Sequence, residues 1–405
     1  MKKFNTNSIL FIFAMAFIVT GLCGKCFSSL KQGTIDMLVA VKHANLAGVI
    51  KAKDNIDDVS SKELSYHDML MDIDSVGKNL LGTRVVKKDD TTIVKSDSGN
   101  LFVLVERLDD DEIDEVVSRI QALNDVSEKN GARFLYCAAP RKELYAQQLP
   151  SNVGSLFPEN YYRLLAGLRA SGIPAVDFSE VFKEDNVAET DIHYNTDHHW
   201  KTYSGFLASA AICRELSSRY GFAYNGQYTD LQNYTVTVYP NWFLGSRGKK
   251  VGRFFTWCGP DDFELITPNF ETNMTEEQPY KKKIREGTFE ETVLYMKNME
   301  KNYYHTTPYS TYSGGDFRLQ IMRNNLNPGG KRILLVRDSY ACVVAPFLAL
   351  QTSELHICDM RDYVYSTGDK LNLEEYISKF RPDYVIVLFS GVNSVKEARG
   401  KYDFF

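Results

Sequence analysis

RILLVRDSYACVVAPFLAL, residues 332–350, decides how the rest of the chain is read. Ile333 to Val336 is an apolar run of strand length, Asp338-Ser339 is a polar break, and Tyr340 to Leu350 has the length and composition of a helix. The rhythm continues downstream, with Leu355 to Cys358 reading as a strand, Leu373 to Phe380 as a helix and Tyr384 to Phe389 as a strand. Strands alternating with helices predict a parallel sheet covered on both faces. Ser339 then stands where a strand ends and a helix begins. A serine there is either an exposed nucleophile beside amide donors for an oxyanion, or simply the cap of its helix.

Upstream the same alternation starts near Leu101. Leu101 to Val105 is apolar, and Asp109-Asp110-Asp111 suits the positive end of a helix dipole. Ile113, Val116, Val117, Ile120, Leu123 and Val126 recur at helical spacing, and Gly131 closes that helix. Phe134 to Ala138 reads as a buried strand, Tyr161 to Ser171 as a helix, Ala175 to Phe178 as a strand and Tyr203 to Arg214 as a helix. Residues 225–330 are Tyr-, Asn- and Gly-rich without strong periodicity and read as a functional insertion. Their tyrosines suit a sugar-stacking wall or the core.

Three regions follow: 1–30 as a leader, 31–100 as a stalk with the first domain elements, and 101–405 as the main α/β domain. Lys2 and Lys3 precede an apolar run from Ile9 to Cys23, the form of an export signal. As a helix, Ser8 to Gly24 would span roughly 26 Å against a hydrocarbon core of ~30 Å, so a cleaved signal peptide and a membrane anchor both fit. The expected location is outside the cytoplasm, membrane-tethered or secreted. Met69, Ile73, Val76 and Leu80 suggest a helix in the stalk. The formal net charge of −5 argues against a nucleic-acid partner. The five cysteines beyond the leader have no C-x-x-C pair; all but Cys258 read as small buried hydrophobes, and an oxidising compartment would allow one disulfide.

Asp191-Ile-His193-Tyr-Asn-Thr-Asp197-His198-His199-Trp200 gathers three of the seven histidines in one loop before a helix. A carboxylate two residues from a histidine can orient the imidazole as a general base. Asp191, His193, Asp197 and His199 could instead ligate zinc or iron, and a loop of locally bonded histidines is the plain alternative.

Asp197-His198-His199-Trp200 together with Arg337-Asp338-Ser339-Tyr340 resembles the DHHW family, which is similar to the alginate O-acetyltransferase proteins of the SGNH hydrolase superfamily. Ala138 to Tyr145, Phe243-Leu-Gly245-Ser-Arg-Gly248, Tyr312 to Asp316 and Asp359-Met-Arg361 resemble further segments of that family. The resemblance implies an SGNH-like α/β fold with its motifs in circularly rearranged order, and a catalytic triad of Ser339, His199 and Asp197. Gly245, Gly314, Arg361 and Asn393 are its candidate oxyanion donors, with His198 and Trp200 near the substrate. It implies transfer of an acetyl group to a cell-surface polysaccharide, with the donor delivered by a membrane-bound O-acyltransferase and with no metal or cofactor. A polysaccharide acetylesterase, and a non-catalytic polysaccharide-binding protein of the same fold, remain the alternatives.

Overall fold

The structure, a computed structural model, describes residues 67–88, 91–151, 153–361, 371–392 and 400–405. The leader and the beginning of the stalk lie outside them. Met1–Leu81 and Gly82–Phe405 form two separate units, and the described part of the first is helix α1, His67–Leu80. Among the described residues no helix is long and apolar enough to cross a membrane.

In the second unit the strands are β1 (Val85–Lys88), β2 (Thr91–Lys95), β3 (Leu101–Val103), β4 (Arg133–Ala139), β5 (Ala175–Asp177), β6 (Tyr234–Phe243) and β7 (Asp261–Pro268). They continue with β8 (Met274–Gln278), β9 (Lys283–Gly287), β10 (Leu319–Asn324), β11 (Arg332–Arg337), β12 (Glu354–Cys358) and β13 (Tyr384–Ser390). Eight of them form one sheet in the order β5-β4-β13-β11-β12-β10-β8-β9. The first five in that order run parallel. Nearly every residue of β4, β11 and β13 is buried, so both faces of these strands are covered, as their unbroken apolar runs require.

The helices pack in two sets. α2 (Asp110–Lys129) lies against α3 (Phe157–Ala170), with α8 (Leu373–Phe380) beside it; α5 (Thr202–Tyr220) meets α4 (Phe178–Glu184) and α7 (Ala345–Ala349). α2 begins as its acidic turn demands: Glu112 accepts a hydrogen bond from the Asp109 amide at 2.8 Å.

Three expectations need correcting. The sheet is mixed, because β10, β8 and β9 add antiparallel strands beyond β12. All three come from the stretch that lacked periodicity, and β8 shows why. Its buried positions include Glu276, whose carboxylate accepts hydrogen bonds from Tyr295, Gln278 and Gln320. A strand that buries satisfied polar groups carries no hydropathy signal. Leu101–Val103 pairs with β2 in a separate antiparallel sheet, β1-β2-β3, and not in the main one. Residues 340–350 are not one helix: a 3₁₀ turn, Ser339–Val343, precedes α7. Pro346 has no amide hydrogen to give the Cys342 carbonyl, which accepts from the Ser313 hydroxyl at 3.0 Å instead.

The 3₁₀ turn is pressed against α5. A Cβ on Gly205 would sit 2.3 Å from Val343 Cγ2 and 3.1 Å from its carbonyl oxygen. Gly205→Ala is expected to destabilise the protein by about 1–3 kcal/mol, the usual range for overpacking, as read from the midpoint of urea unfolding.

Candidate active site

β11 ends at Arg337, and Asp338 turns the chain. One oxygen of the Asp338 carboxylate accepts from the Tyr340 amide at 3.0 Å, so Asp338 and not Ser339 caps the turn. The other accepts from the Ser390 amide (2.9 Å), the Ser390 hydroxyl (2.7 Å) and the Lys401 ammonium (2.9 Å). Burial opposes its charge, but Lys401 and Arg361 hold the carboxyl well below the usual range. The Ser339 hydroxyl is left half-buried.

The histidine loop is built by backbone pairing. The Tyr194 amide donates to the His199 carbonyl (3.2 Å) and the Lys201 amide to the Ile192 carbonyl (2.8 Å), closing residues 192–201 into a small ring. Asp261, at the start of β7, takes the amides of Asn195 (2.5 Å) and Thr196 (2.8 Å) and the Thr196 hydroxyl (2.5 Å). Trp200 is fully buried against Phe178, Phe182 and Tyr340, and its indole N–H donates to the Tyr340 carbonyl at 2.9 Å. The loop is thereby fixed to the Ser339 turn.

This construction brings Asp197, His199 and Ser339 into one line. His199 Nδ1 is 2.6 Å from Asp197 Oδ1, and Nε2 is 2.8 Å from Ser339 Oγ. Asp197 is also held by the His199 amide (2.9 Å) and by the Ser246 amide (2.5 Å), the first residue of helix α6, Ser246–Val251. Burial works against its charge, but the two neighbouring histidines and these donors keep the carboxyl well below its ordinary value. An ionised Asp197 fixes the proton on Nδ1 and leaves Nε2 to accept from the serine hydroxyl. The Tyr309 ring stacks on His199 at 4.0 Å and 13°. Its hydroxyl donates to the Tyr340 carbonyl at 3.1 Å.

The remaining candidates have other partners. The Gly245 amide is spent on the Thr196 hydroxyl at 2.8 Å. Gly314 packs on the Tyr295 ring, where a Cβ would come within 2.7 Å. The Arg361 guanidinium grips Asp359 (3.0 and 2.7 Å) and reaches Asp316 (3.3 Å). Asp316 in turn holds Arg337. Trp200 has no exposed surface to offer a sugar. Asn393 lies outside the described residues. His198 is half-buried, with its ring 3.8 Å from that of His199 and Nδ1 3.0 Å from the Ser246 hydroxyl. The four metal candidates do not converge: Asp191 pairs with Lys201 at 3.6 Å, and His193 Nε2 bonds the Pro140 carbonyl at 2.8 Å. Asp197, His198 and His199 do lie together, with ligand atoms within 4.8 Å of one another. A metal there would have to displace the Asp197–His199 and His198–Ser246 hydrogen bonds.

Sequence reasoning missed Asp261, Thr196 and Tyr309. Thr196 lies inside the histidine segment but was given no role there, whereas Asp261 and Tyr309 sit in no distinctive pattern and only the fold brings them to the loop. It also missed the charges behind the loop. Lys142 donates to the Asn195 carbonyl at 2.9 Å, and Glu143 accepts from the Val103 amide (3.0 Å) and forms an ion pair with Arg247 (2.6 Å). Burial opposes the Glu143 charge, yet Arg247 and Arg141 hold its carboxyl down at about 2.

Two tests follow from this geometry. At Gly245 a Cβ would lie 2.5 Å from the backbone N and Cα of Asp197, atoms that cannot rotate away. Gly245→Ala is expected to cost about 2 kcal/mol or more in urea unfolding. Burial pushes the His193 ring down to about 3. An unfolded histidine binds its proton near pH ~6.5, so stability falls as the pH drops below that value, by about 2–3 kcal/mol near pH ~4.5. His193→Gln keeps a donor for Pro140 but cannot titrate. It is expected to remove that part of the acid sensitivity, measured as the difference between unfolding free energies at neutral and acid pH.

Residues 98–240, which hold Asp197 and His199 but stop short of Ser339, match the family model described as SGNH hydrolase-like domain, acetyltransferase AlgX. No curated protein matches the chain. Among solved structures, Bacillus cereus PatB1 is similar, with 21% identity, a TM-score of 0.63 and coverage of 78% of this chain and 100% of that one. A second PatB1 structure, with a sulfonyl adduct, gives 20% identity and a TM-score of 0.62 over 79% and 99% of the two chains. A DHHW family protein from Eubacterium siraeum gives 18% identity and a TM-score of 0.54 over 79% and 97%. Residues 98–240 are thus similar to the SGNH hydrolase-like domain of acetyltransferase AlgX, and the chain shares its fold with PatB1 and a DHHW family protein.

Proposed function

We propose that the protein is an extracytoplasmic serine O-acetyltransferase, with Ser339 as nucleophile, His199 as general base and Asp197 as its orienting carboxylate. The observation that carries this is the continuous hydrogen-bond line Asp197–His199–Ser339, with distances of 2.6 and 2.8 Å. His199 Nε2 takes the hydroxyl proton as Ser339 Oγ attacks the carbonyl carbon of an acetyl ester. The tetrahedral oxyanion takes a hydrogen bond from the Ser339 amide. On collapse the donor's C–O bond breaks, and its oxygen leaves with the proton from His199.

The acetyl-serine is then attacked by a sugar hydroxyl, whose proton passes to His199, and Ser339 is released with its own proton restored. The match to an acetyltransferase domain supports a polysaccharide acceptor over water. The leader supports export, by a cleaved signal or an anchor. The donor ester is then delivered at the membrane by an O-acyltransferase. Water as acceptor would make the same site an acetylesterase.

The test is acetyl release from a small reporter ester by the purified protein, with a sulfonyl fluoride as the labelling probe. Ser339→Ala and His199→Ala are expected to lower the rate by about a thousandfold or more. Mass spectrometry is expected to place the label on Ser339 in the wild type and to find none in Ser339→Ala. A folded wild type that neither turns over nor labels would favour a non-catalytic polysaccharide-binding role.

A further inference from the structure

His199 has both of its ring faces covered. The Tyr309 ring lies on it at 4.0 Å between centres and 13° between planes, and the His198 ring at 3.8 Å and 37°. Two rings cannot share one face at such distances, so they take opposite faces. The edge of the imidazole is occupied as well, with Nδ1 toward Asp197 and Nε2 toward Ser339. Tyr340 closes the rim, its ring centre 5.3 Å from that of His199.

Each side of this clamp has its own support. Tyr309 stands on a 3₁₀ turn, Pro308–Thr311, and is 2% exposed. The Asn298 side-chain amide donates to the Ser310 carbonyl at 2.7 Å, and the Tyr295 amide to the Thr311 carbonyl at 2.8 Å. Lys249 of α6 adds bonds to the Thr306 carbonyl (2.6 Å) and the Thr307 hydroxyl (3.0 Å). The Tyr309 hydroxyl shares the Tyr340 carbonyl with the Trp200 indole. On the other side, His198 Nδ1 meets the Ser246 hydroxyl, and the His198 carbonyl accepts from the Tyr340 hydroxyl. Both sides therefore brace on α6 and on the Ser339 turn.

Acyl transfer gives such a clamp a particular moment to act. Before reaction His199 is held by Asp197, by its two covered faces and by the Ser339 hydroxyl. Once Ser339 Oγ carries an acetyl group it has no proton to give, and Nε2 loses that hold. A single hydrogen bond at Nδ1 leaves an imidazole free to swing about its Cβ–Cγ bond. A displacement of about 1 Å costs about a hundredfold in rate. The face of a tyrosine ring also attracts the cation that His199 becomes on taking the acceptor's proton.

Resting on the acyl-transfer reading above, we propose that Tyr309 and His198 are positioning residues of the second half-reaction, a clamp that keeps His199 aimed at the acceptor hydroxyl while Ser339 is acetylated. Loss of the clamp then slows removal of the acetyl group more than its arrival.

The test is the pre-steady-state reaction of the full-length protein with p-nitrophenyl acetate. In the first step Ser339 Oγ bonds to the acetyl carbon and p-nitrophenol leaves with the serine proton. In the second, water takes the acetyl group as acetic acid and its other proton returns to Ser339. Tyr309→Leu is expected to keep the first step within about threefold of wild type and to slow the second by about tenfold or more. A burst of nitrophenol then appears, and mass spectrometry finds acetyl-Ser339 accumulating. Tyr309→Phe keeps the ring and is expected to recover most of the second-step rate. A role in packing alone would lower both steps together, along with the urea midpoint. His198→Ala tests the other face on a half-buried side chain and is expected to shift the balance the same way, so the test stands even where Tyr309→Leu fails to fold.

The proposal is overturned if both steps slow equally, if neither changes, or if Tyr309→Phe is as slow as Tyr309→Leu. Sulfonyl labelling of wild-type Ser339 separates the two readings. A labelled wild type whose variants accumulate no acetyl-Ser339 overturns the clamp alone. An unlabelled wild type that releases no nitrophenol overturns the acyl-transfer reading, and the clamp with it.

Discussion

The carboxylate of Asp197 sits almost wholly out of water, 2% exposed, and a charge there persists only if donors surround it. They come from the His199 amide, the His199 ring and the Ser246 amide. Each donor constrains a different piece of chain. The first two fold residues 197–199 back on themselves, and the third draws α6 against the loop. That approach is possible only because residue 245 is glycine. Around this charge, Thr196 and Asp261 fix the preceding residues, and Trp200 carries the following ones to the Ser339 turn. The geometry of the site is thus the outcome of satisfying one buried ion.

A second set of charges lies behind the first. Glu143 is fully buried, with Arg247 and Arg141 beside it, and Lys142 reaches the loop's own carbonyls. Buried ion pairs of this kind contribute little net stability, but breaking one leaves a costly orphan. They act as registers, fixing where the loop enters and where α6 begins. Such a device suits a site whose hydrogen bonds must hold to a fraction of an ångström.

The legible parts of the fold were those where hydropathy and structure share a cause. The buried parallel strands Phe134–Ala138, Ile333–Val336 and Tyr384–Phe389 read as unbroken apolar runs because both their faces are covered. The Asp-x-His spacing and the strand-to-turn serine were legible because they are local. What stayed hidden depended on distant partners. β8 buries Glu276 against Tyr295 and Gln320, so its alternation looks polar. The break before α7 follows from Pro346, a residue in plain view, but its consequence lay in a carbonyl taken by distant Ser313. Gly245 was legible as a special glycine, whereas its task, making room for Asp197, required the loop to be in place.

The Lys401–Asp338 contact has a consequence for how the chain comes into being. Asp338 precedes Ser339, and its ammonium partner lies far downstream in the chain, with both side chains 2% exposed. Synthesis runs from the amino terminus, so the turn bearing Ser339 emerges before Lys401 does. Until Lys401 has cleared the ribosome, Asp338 has no lysine to neutralise it, and the turn lacks one of its anchors. Lys401 is therefore one of the last pieces to join the turn. Without Lys401, the buried Asp338 carboxylate would keep its hydrogen bonds from Ser390 and Tyr340 but have no ammonium to balance its charge.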